Sequence, residues 1–445
     1  MLDIVMKLLE KKNYKTLKDM LSEMNEADIA SILVELPEEK LVLIYRILPK
    51  ELAAEVFVNM DSDAQEVLIH SFSDNELKEV LDELYVDDAV DIIEEMPATV
   101  VKRILQQTDP ETRKSINELL NYPEDSAGSI MTIEYVDLKG HMTVEDAFTR
   151  IRRTGVDKET IYTCYVTDEG RHLQGVVTVK TLLLSDYEDL ISDIMETNVI
   201  SVNTLEDKEV VAEMFQKYDL LALPVVDRES RLVGIITIDD AMDVLQEENT
   251  EDFEKMAAIT PTDKPYTKTG VFATWGKRIP WLLFLMISAT FTSKIIQSFE
   301  DALAAQVVLT AFIPMLMDTS GNAGTQASVS IIRALSLNDI EFRDYFKVVF
   351  KEFRVAIMCG VVLATANFFK LLWIDRVSMP ISLVVNLTLL FAIIIAKCVG
   401  STLPMVAQKL KLDPAVMASP LVTTIVDALS LLTYFSIATR ILHLS

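Results

Sequence analysis

Cysteine is scarce in this 445-residue chain, which contains Cys164, Cys359 and Cys398. Three cysteines form no even-numbered disulfide framework, and their spacing matches no zinc motif. Two of them lie inside apolar stretches, which is typical of a reducing cytosol or a lipid environment rather than of a secreted scaffold. The N-terminus also lacks the apolar core and the small-residue cleavage site of a signal peptide, so we expect the N-terminal part to stay cytoplasmic.

Basic residues are also in short supply, because 41 Lys and Arg stand against 68 Asp and Glu and the net charge is −27. The imbalance lies before residue 270, where 27 basic residues accompany 58 acidic ones, whereas the remainder has 14 and 10. So acidic a surface argues against nucleic acid or anionic lipid as its partner, and it concentrates cations nearby. Cations are therefore the expected ligand class.

Long apolar stretches are missing from the first 270 residues and then follow one another closely. Five of them have about the length that a helix needs to cross roughly 30 Å of hydrocarbon. They cover residues 280–299, 302–330, 355–374, 380–407 and 414–442. An odd number of spans places the C-terminus opposite the N-terminal part, and most basic residues at the span ends fall on the side of that part. We therefore predict a multi-pass membrane protein with its C-terminus outside.

Helix-breaking residues recur every 10 to 13 residues between residue 1 and residue 125, as at Leu36-Pro37, Leu48-Pro49 and Met96-Pro97. Each break opens a short segment with Pro or a capping residue, followed by apolar residues at helical spacing. This pattern predicts an all-α superhelix of short helices. Taken alone, such a domain is more often an interaction domain than a ligand site.

From residue 126 to residue 248 the sequence changes to apolar β-rich runs that alternate with helices and repeat once. The segment GVVTVKT, which ends at Thr181, is echoed by GIITIDD, which ends at Asp240. This repeat resembles a tandem pair of CBS domains, an α/β fold. In many such pairs the acidic residue at the end of the signature holds an adenosine ribose. Because the first copy has Thr181 there, binding of a regulatory ATP or AMP stays an open alternative.

Asp427 lies in the middle of the last apolar span, in SPLVTTIVDALSLLTYF. An ionised Asp at that depth costs roughly 2.5–3.5 kcal/mol, so it generally faces a cavity, a pathway or a charged partner. Neutralisation by Lys294 or Lys397 on another span is the simpler alternative.

The second apolar span contains Pro314, Gly321 and Gly324 around Asp318 and Asn322. We expect these residues to interrupt the helix. Irregular backbone at membrane depth is tolerated where it lines water, and its carbonyls can then face a cation. A plain kink or helix end is the alternative.

The segments PMLMDTSGNAGTQ and DPAVMASPLVTTIVDALSLLTYF resemble the two signature segments of the MgtE magnesium transporters. The order of domains also matches this family over nearly the entire chain. The resemblance implies a multidomain membrane protein that is not an enzyme, placed as a homodimer in the plasma (inner) membrane. Its parts would be an all-α superhelical N domain at 1–125, an α/β CBS pair at 126–248, a connecting (plug) helix at 249–275 and an all-α five-helix transmembrane pore domain at 276–445.

The resemblance also assigns roles to individual residues. In a dimer whose pore lies on the two-fold axis, the two Asp427 side chains would face one Mg2+, an ion that sheds its water reluctantly. The implied pore and selectivity residues are Asp427, Asp318, Asn322, Thr423 and Ser419. The implied Mg2+-sensing residues are Glu55, Asp87, Asp91, Glu209, Asp219, Asp240, Asp243, Glu248, Glu251 and Asp252.

Some of these acidic residues are four apart in the sequence, as are Asp87 and Asp91 or Glu248 and Asp252. They share a helix face, where like charges repel unless a cation bridges them. This suggests a feedback gate that high cytosolic Mg2+ closes. A divalent-cation carrier or exchanger, a CBS-regulated membrane scaffold and an intramembrane aspartyl enzyme are the rival hypotheses. Carboxylate sites do not decide among Mg2+, Co2+, Ni2+ and Mn2+.

Overall fold

The computed structural model describes residues 1–262, 266–267 and 269–443. The chain divides into a first unit, Met1–Leu245, and a second unit, Gln246–Ser445. Each unit is described by itself below.

Short helices follow one another through the first part of the first unit, because most of them begin directly after an Asn, Asp, Ser or Pro, residues suited to a helix N-terminus. The Asp61 carboxylate accepts from the Ala64 N–H at 2.9 Å, and Ser73 forms a capping box with Glu76. The predicted all-α domain is confirmed. Its helices are α1 (Leu2–Glu10), α2 (Tyr14–Leu21), α3 (Glu26–Val34), α4 (Glu38–Tyr45), α5 (Lys50–Val58), α6 (Ser62–Ser71), α7 (Asp74–Leu81), α8 (Val86–Glu95), α9 (Ala98–Gln107) and α10 (Pro110–Leu119).

Two three-stranded sheets with the same topology follow, so the predicted repeat is confirmed. In each sheet the first strand is parallel to the second, and the second is antiparallel to the third. The elements are β1 (Asp137–Leu138), α11 (Val144–Thr154), β2 (Thr163–Thr167), β3 (Leu173–Thr178), α12 (Val179–Leu184), α13 (Ile191–Ile194), β4 (Val202–Asn203), α14 (Lys208–Tyr218), β5 (Ala222–Val226), β6 (Leu232–Thr237) and α15 (Ile238–Met256). Helix α15 continues into the second unit.

The matched glycines of the two copies have the same task. A Cβ at Gly175 would lie 2.9 Å from the carbonyl oxygen of Glu196, and one at Gly234 would lie 2.7 Å from that of Thr132. In each case the crossing segment exchanges backbone hydrogen bonds with the residue next to the glycine. Glycine is therefore required by a close approach of backbone to backbone.

One hydrophobic core runs from the short helices into the second sheet of the first unit. It includes Val90 and Ile116 from the helices and Val211, Leu223 and Ile236 from the second repeat. The first repeat has a separate core around Val144 and Cys164. The helical domain and the second repeat thus bury their apolar surface against each other, which fixes the position of α8 relative to the start of α15.

The second unit is built from long apolar helices. They are α16 (Val271–Ser298), α17 (Glu300–Ala305), α18 (Ile313–Ser336), α19 (Tyr345–Trp373), α20 (Met379–Lys409) and α21 (Ser419–Leu442). Within the described residues, four segments are long and apolar enough to cross a membrane: Val271–Ser298, Phe342–Trp373, Met379–Lys409 and Pro414–Leu442. The second predicted span, 302–330, is not among them. It is divided into α17, a 3-10 segment (Val307–Phe312) and most of α18.

The expectation that Pro314, Gly321 and Gly324 interrupt the helix is wrong. Helix α18 runs without a break from Ile313 to Ser336. Pro314 falls in its first turn, where a missing N–H costs nothing. The two glycines lie inside the helix, where they allow neighbouring helices to approach closely.

Candidate ion pathway and acidic cluster

Helices α18 and α21 pack closely at Gly321 of α18, which has no side chain. A Cβ at Gly321 would lie 3.0 Å from Cγ2 of Thr423 and 3.8 Å from Oδ1 of Asp427. One turn away, the buried hydroxyl of Ser430 donates to that of Ser320 at 2.9 Å. Glycine and serine are common at such contacts in membrane bundles, because they let two backbones come together. The contact places Asp427 directly against α18.

The Asp427 carboxylate has one oxygen without a partner. Its Oδ1 is buried and accepts no hydrogen bond among the described residues. Asp318, which is exposed on α18, lies near enough to interact with it electrostatically. The expected alternative partner Lys397 forms an ion pair with Glu352 instead, at 3.6 Å between Nζ and Oε2. A buried carboxylate oxygen without a donor is costly, and such an oxygen fits a cation ligand.

Polar residues recur at a spacing of four along α18. Asp318, Asn322, Gln326 and Ser330 are all exposed in the single chain. A face of this kind is poorly suited to hydrocarbon, so in a membrane it needs water or another protein surface against it. The same residues lower the hydropathy of α18, which explains why α18 is not among the four apolar segments.

The structure brings three of the five predicted pore residues to one place. Asp427, Asp318 and Thr423 meet at the contact of α18 with α21, with Thr423 one turn before Asp427 and opposite Gly321. Asn322 lies on the polar face of α18, next to this contact in the sequence. Ser419 is the first residue of α21, and its side chain lies outside the part of the chain that the structure describes.

A second concentration of carboxylates lies in the first unit, between α8 and the start of α15. We call it the acidic cluster. Its members interact electrostatically with one another and come from five places in the chain: Glu55 on α5; Asp87, Asp88 and Asp91 on α8; Glu134 and Glu159 on two loops of the first repeat; and Asp239 and Asp240 on α15.

Burial and repulsion between neighbouring carboxylates raise the pKa values of Asp87, Asp88, Asp91, Glu159 and Asp240. Burial first, and the charge of Asp240 second, raise the pKa of Asp88 to about 7. The pKa of Asp91 is also raised to about 7, by desolvation among the crowded carboxylates and then by the charge of Asp240, although Asp91 itself is exposed. Asp87 is only 8% exposed, its Oδ1 has no hydrogen-bond partner among the described residues, and its pKa is raised well above the usual range. Among the described residues, no basic side chain forms an ion pair with any of these three carboxylates.

Four members of the acidic cluster were not predicted: Asp88, Glu134, Glu159 and Asp239. Burial, followed by the charge of Asp88, raises the pKa of Glu159 to about 8. Glu159 and Glu134 are joined through their backbones, with the Glu159 N–H donating to the Glu134 carbonyl at 2.9 Å. Asp88 and Asp239 could have been found as sequence neighbours of predicted residues. The two glutamates carry no such signal, since only the tertiary fold brings them to α8.

The other predicted sensing residues of the first unit are placed elsewhere on the repeats. Glu209 is in the first turn of α14, and Asp219 ends that helix with a left-handed backbone, at φ 51°. Asp243 is one turn beyond Asp239 on α15, and its pKa is raised by burial and then by the charge of Asp239. Among all described residues, no group of three or more His, Cys, Asp or Glu side chains is arranged to hold a metal ion. The acidic cluster is thus a set of unneutralised carboxylates rather than a preformed chelate.

The connecting helix carries the predicted residues Glu248, Glu251 and Asp252, which all belong to the second unit. In that unit the helix contacts the membrane helices through an ion pair and a hydrogen bond. Lys255 Nζ lies 2.6 Å from Glu251 and 2.7 Å from Asp413, which precedes α21. Although burial lowers the pKa of Lys255, hydrogen bonds to Asp413 and Glu251 outweigh it and leave the pKa raised. The Ser336 hydroxyl at the end of α18 donates to Asp252 at 3.5 Å.

The raised pKa values predict a pH dependence of the metal-free protein. Because the folded cluster binds protons that the unfolded chain releases at about pH 4, its stabilising contribution is complete below about pH 4 and is lost as the pH rises through about 6 to 8. Hydrogen exchange of peptides covering α8, corrected for intrinsic rates, should show opening at least about tenfold less frequent at about pH 5.5 than at about pH 8.5.

Mg2+ should restore protection more strongly at the higher of these two pH values, because a cation there replaces protons that are missing. Two results would contradict the link between the raised pKa values and the repulsion in the acidic cluster: protection of α8 that rises with pH in chelator, or an effect of Mg2+ that is equal at both pH values. Peptides from α2, which carries no member of the acidic cluster, serve as the internal control.

Comparison with known proteins defines the class first. Residues 313–437 match the family model described as a divalent cation transporter, residues 24–125 match the MgtE intracellular N domain, and residues 127–187 and 191–247 match CBS domains. The chain is therefore built as a divalent cation transporter with an intracellular N domain and a CBS pair.

The relatives make the family specific. The chain is 37% identical over 440 residues to the magnesium transporter MgtE of Thermus thermophilus, covering 98% of this chain and 97% of the relative. It is 33% identical over 437 residues to that of Bacillus subtilis, with coverage of 98% and 96%. The chain belongs to the MgtE family of magnesium transporters, as its two membrane segments predicted.

Two solved structures resemble the first part of the chain. One is a crystal structure of the cytosolic domain of the Mg2+ channel MgtE in complex with ATP, with 36% identity, a TM-score of 0.52, and coverage of 55% of this chain and all of that one. The other is the soluble part of a magnesium transporter, with 29% identity, a TM-score of 0.52, and coverage of 56% and 97%. The predicted fold class is confirmed.

Proposed function

We propose that this chain forms a homodimeric, Mg2+-selective channel of the plasma membrane that takes up Mg2+ and closes when cytosolic Mg2+ is high. The observation that carries the proposal is the Asp427 carboxylate, whose buried Oδ1 is left without a donor at the contact of α18 and α21. Five crossings, made by α16, the α17–α18 segment, α19, α20 and α21, would put the N-terminal domains in the cytoplasm and the C-terminus outside.

The exposed Asp318 and Asn322, at the part of the polar face of α18 nearest α21, support a dimer. A single chain has one Asp427 carboxylate in the last span. Two chains around a two-fold axis would bring two Asp427 carboxylates to face a single divalent ion. Mg2+ keeps most of its water, so two carboxylates with the oxygens of Asn322, Thr423 and Ser419 nearby suit a hydrated or partly hydrated ion. Co2+, Ni2+ and Mn2+ would compete for such oxygens.

The acidic cluster and the connecting helix supply the proposed gate. Mg2+ bridging the carboxylates of the first unit would relieve their repulsion, and the linking helices would then be held over the pore. Glu209, Asp219, Asp243, Glu248, Glu251 and Asp252 would extend this sensing surface. A ligand shifts such an equilibrium only by its differential affinity for the two states, which the uncompensated charge of the cluster provides. In this proposal the N domain ends at residue 125, the CBS pair at residue 248 and the connecting helix with its linker at residue 275, where the transmembrane domain follows.

A nucleotide is a second proposed ligand of the CBS pair, because the cytosolic domain of a relative crystallised with ATP. In this chain Asp240 accepts a hydrogen bond from the Thr237 hydroxyl at 2.7 Å, and Thr181 takes the same place beside Thr178 in the first repeat. Asp240 would hold the ribose of ATP or AMP. Since Asp240 also belongs to the acidic cluster, bound nucleotide would alter the response to Mg2+.

The rival function is a carrier or exchanger for divalent cations. Purified protein in a planar bilayer with Mg2+ as the charge carrier separates the two. Unitary current steps that disappear when tens of millimolar Mg2+ is added on the side of the N-terminal domains support the channel. Mg2+ flux without any resolvable current step would favour the carrier.

Replacing Lys255 with methionine should weaken closure by Mg2+. The variant removes the ion pairs to Glu251 and Asp413, which are partly exposed and together contribute about 0.5–1 kcal/mol. We expect the Mg2+ concentration that halves the flux to rise about two- to fivefold. Flux from proteoliposomes at graded Mg2+ on the sensor side measures it.

Asp413→Asn is the matched variant, because it removes the charge and can keep the hydrogen bond from the Ala415 N–H to Asp413 Oδ1. It should reproduce the shift of Lys255→Met. Unchanged inhibition in both variants would mean that this contact does not hold the closed state.

A further inference from the structure

A cavity of about 630 Å³ lies beside α18, α19 and α20, inside the half of the bundle in which α18 and α20 finish and α19 begins. It is wide open to the outside, and its wall combines apolar surface, including Val329 of α18 and Val355 of α19, with a few polar and charged groups. Thr325, Gln326 and Ser330 of α18 line it together with Glu352 of α19 and Lys397 of α20. Its volume is within the range of small-molecule sites in proteins.

The ion pair in this wall is buried and loose. The side chains of Lys397 and Glu352 are 7% and 13% exposed, and Nζ lies 3.6 Å from Oε2, which is long for a charge-assisted hydrogen bond. No other hydrogen bond or ion pair of either side chain occurs among the described residues. A buried ion pair repays its desolvation only when its remaining donors and acceptors are satisfied. The Lys397 ammonium can therefore donate, and the Glu352 carboxylate can accept, further hydrogen bonds on the side of the cavity.

The cavity is separate from the contact between Asp427 and α18. Residues spaced by four turn about 40° per step around a helix, so the polar face of α18 starts beside α21 at Asp318 and ends toward α19 and α20 at Ser330. A lysine beside a carboxylate also makes the cavity wall neutral overall, which does not favour a bare divalent cation. The ligand expected from charge complementarity has one positive and one negative group.

The outer face of α19 indicates where such a ligand comes from. Phe346, Phe350 and Phe353 are exposed there, and the Arg354 guanidinium lies 5.1 Å from the centre of the Phe350 ring. Aromatic and basic side chains together are typical of the membrane interface, at the level of lipid headgroups. The outer face of α19 is therefore suited to contact lipid, and the cavity lies beside this same helix.

We infer that this cavity binds the headgroup of a zwitterionic phospholipid with a primary amine, of the phosphatidylethanolamine class. The ammonium lies against Glu352, the phosphate against Lys397, and the hydroxyl and amide groups of α18 complete the hydrogen bonds. The bound lipid joins α18, α19 and α20 in that half of the bundle.

The test uses full-length protein, delipidated in detergent, with phosphatidylethanolamine or phosphatidylglycerol added and bound lipid counted by native mass spectrometry. The test variant Glu352→Gln/Lys397→Met removes both charges at once, since a single substitution leaves the other charge buried and unpaired. We expect wild type to hold one phosphatidylethanolamine per chain, and the double variant to bind it at least about tenfold more weakly. The control Lys370→Met/Asp375→Asn neutralises the exposed ion pair at the other end of α19 and should bind as wild type does.

Val355→Phe fills part of the cavity without changing a charge and keeps the test usable if the double variant does not fold; it too should lose the lipid. Undiminished binding in either folded variant would overturn the inference, as would equal affinity for phosphatidylglycerol. Soluble phosphoethanolamine separates the sources: competition only at far higher concentration than the lipid supports a membrane ligand, whereas equal potency would assign the site to a soluble zwitterion and overturn the lipid.

Discussion

Mg2+ flux should fall at least about a hundredfold when Asp427 is replaced by asparagine. The variant keeps the shape of the side chain and removes the charge that would hold Mg2+ against α18, and loss of about 3 kcal/mol of cation stabilisation corresponds to this factor. Purified variants reconstituted in liposomes with a Mg2+-sensitive dye inside measure the flux directly.

Stability separates this loss from misfolding. Because Asp427 Oδ1 is buried without a donor, the neutral amide should leave the thermal midpoint of unfolding unchanged or raise it. The matched control is Asp375→Asn, which removes a membrane-domain carboxylate that pairs with Lys370 at 3.0 Å. Normal flux in Asp427→Asn, or an equal loss in Asp375→Asn, would contradict the proposed pore.

Neutralising the acidic cluster should have the second largest effect. In the triple variant Asp88→Asn/Asp91→Asn/Asp240→Asn, the repulsion that Mg2+ relieves is largely gone, so Mg2+ loses its differential affinity for the closed state. We expect the concentration of Mg2+ that halves the flux to rise at least about tenfold, with the flux at low Mg2+ retained.

A control variant carries the same change of charge at exposed aspartates of other N-terminal helices: Asp19→Asn/Asp28→Asn/Asp63→Asn. It should close at the concentration of Mg2+ that closes wild type. An equal shift in both triple variants would indicate that net charge, rather than the acidic cluster, sets the response. No shift in either would remove the first unit from the proposed gate.

Local sequence patterns predicted those parts of the fold that depend on local chemistry. Capping residues and prolines predicted the short helices. The repeated segments that begin at Gly175 and Gly234 predicted two sheets of the same topology, and each glycine accommodates a crossing backbone. The charge of Asp427 in an apolar span predicted a cavity, a pathway or a charged partner beside it, whereas its association with the second span was implied by the family resemblance. The orphaned Oδ1 of Asp427 was not predicted, because hydrogen-bond satisfaction depends on which atoms the neighbouring helices offer.

Contacts between distant segments could not be read in this way. Glu134 and Glu159 join Asp88 only through the tertiary fold, because Thr132 exchanges backbone hydrogen bonds with Ile235 of the second sheet and the Glu159 N–H donates to the Glu134 carbonyl. Lys397 was considered a partner for Asp427, yet it pairs with Glu352 on α19. The predicted break at the glycines of α18 is wrong because, although glycine disfavours isolated helices, in a packed bundle the lack of a side chain is compensated by closer helix contact.

The aspartyl-enzyme hypothesis rested on Asp318 and Asp427, which the structure does bring near each other. Their helices belong to the segment matched by the divalent cation transporter model. The transport proposed for this pair of helices would account for the proximity of the carboxylates without a chemical reaction.

Mg2+ influx into liposomes containing the wild-type protein, with Mg2+ varied on the side of the N-terminal domains, tests the central claim most directly. The account predicts rapid influx when that side holds micromolar Mg2+ and a stop to influx when it holds tens of millimolar, at the same driving gradient. Influx that is indifferent to Mg2+ on that side would contradict the gate, and the absence of any Mg2+ influx at micromolar Mg2+ would contradict the channel itself.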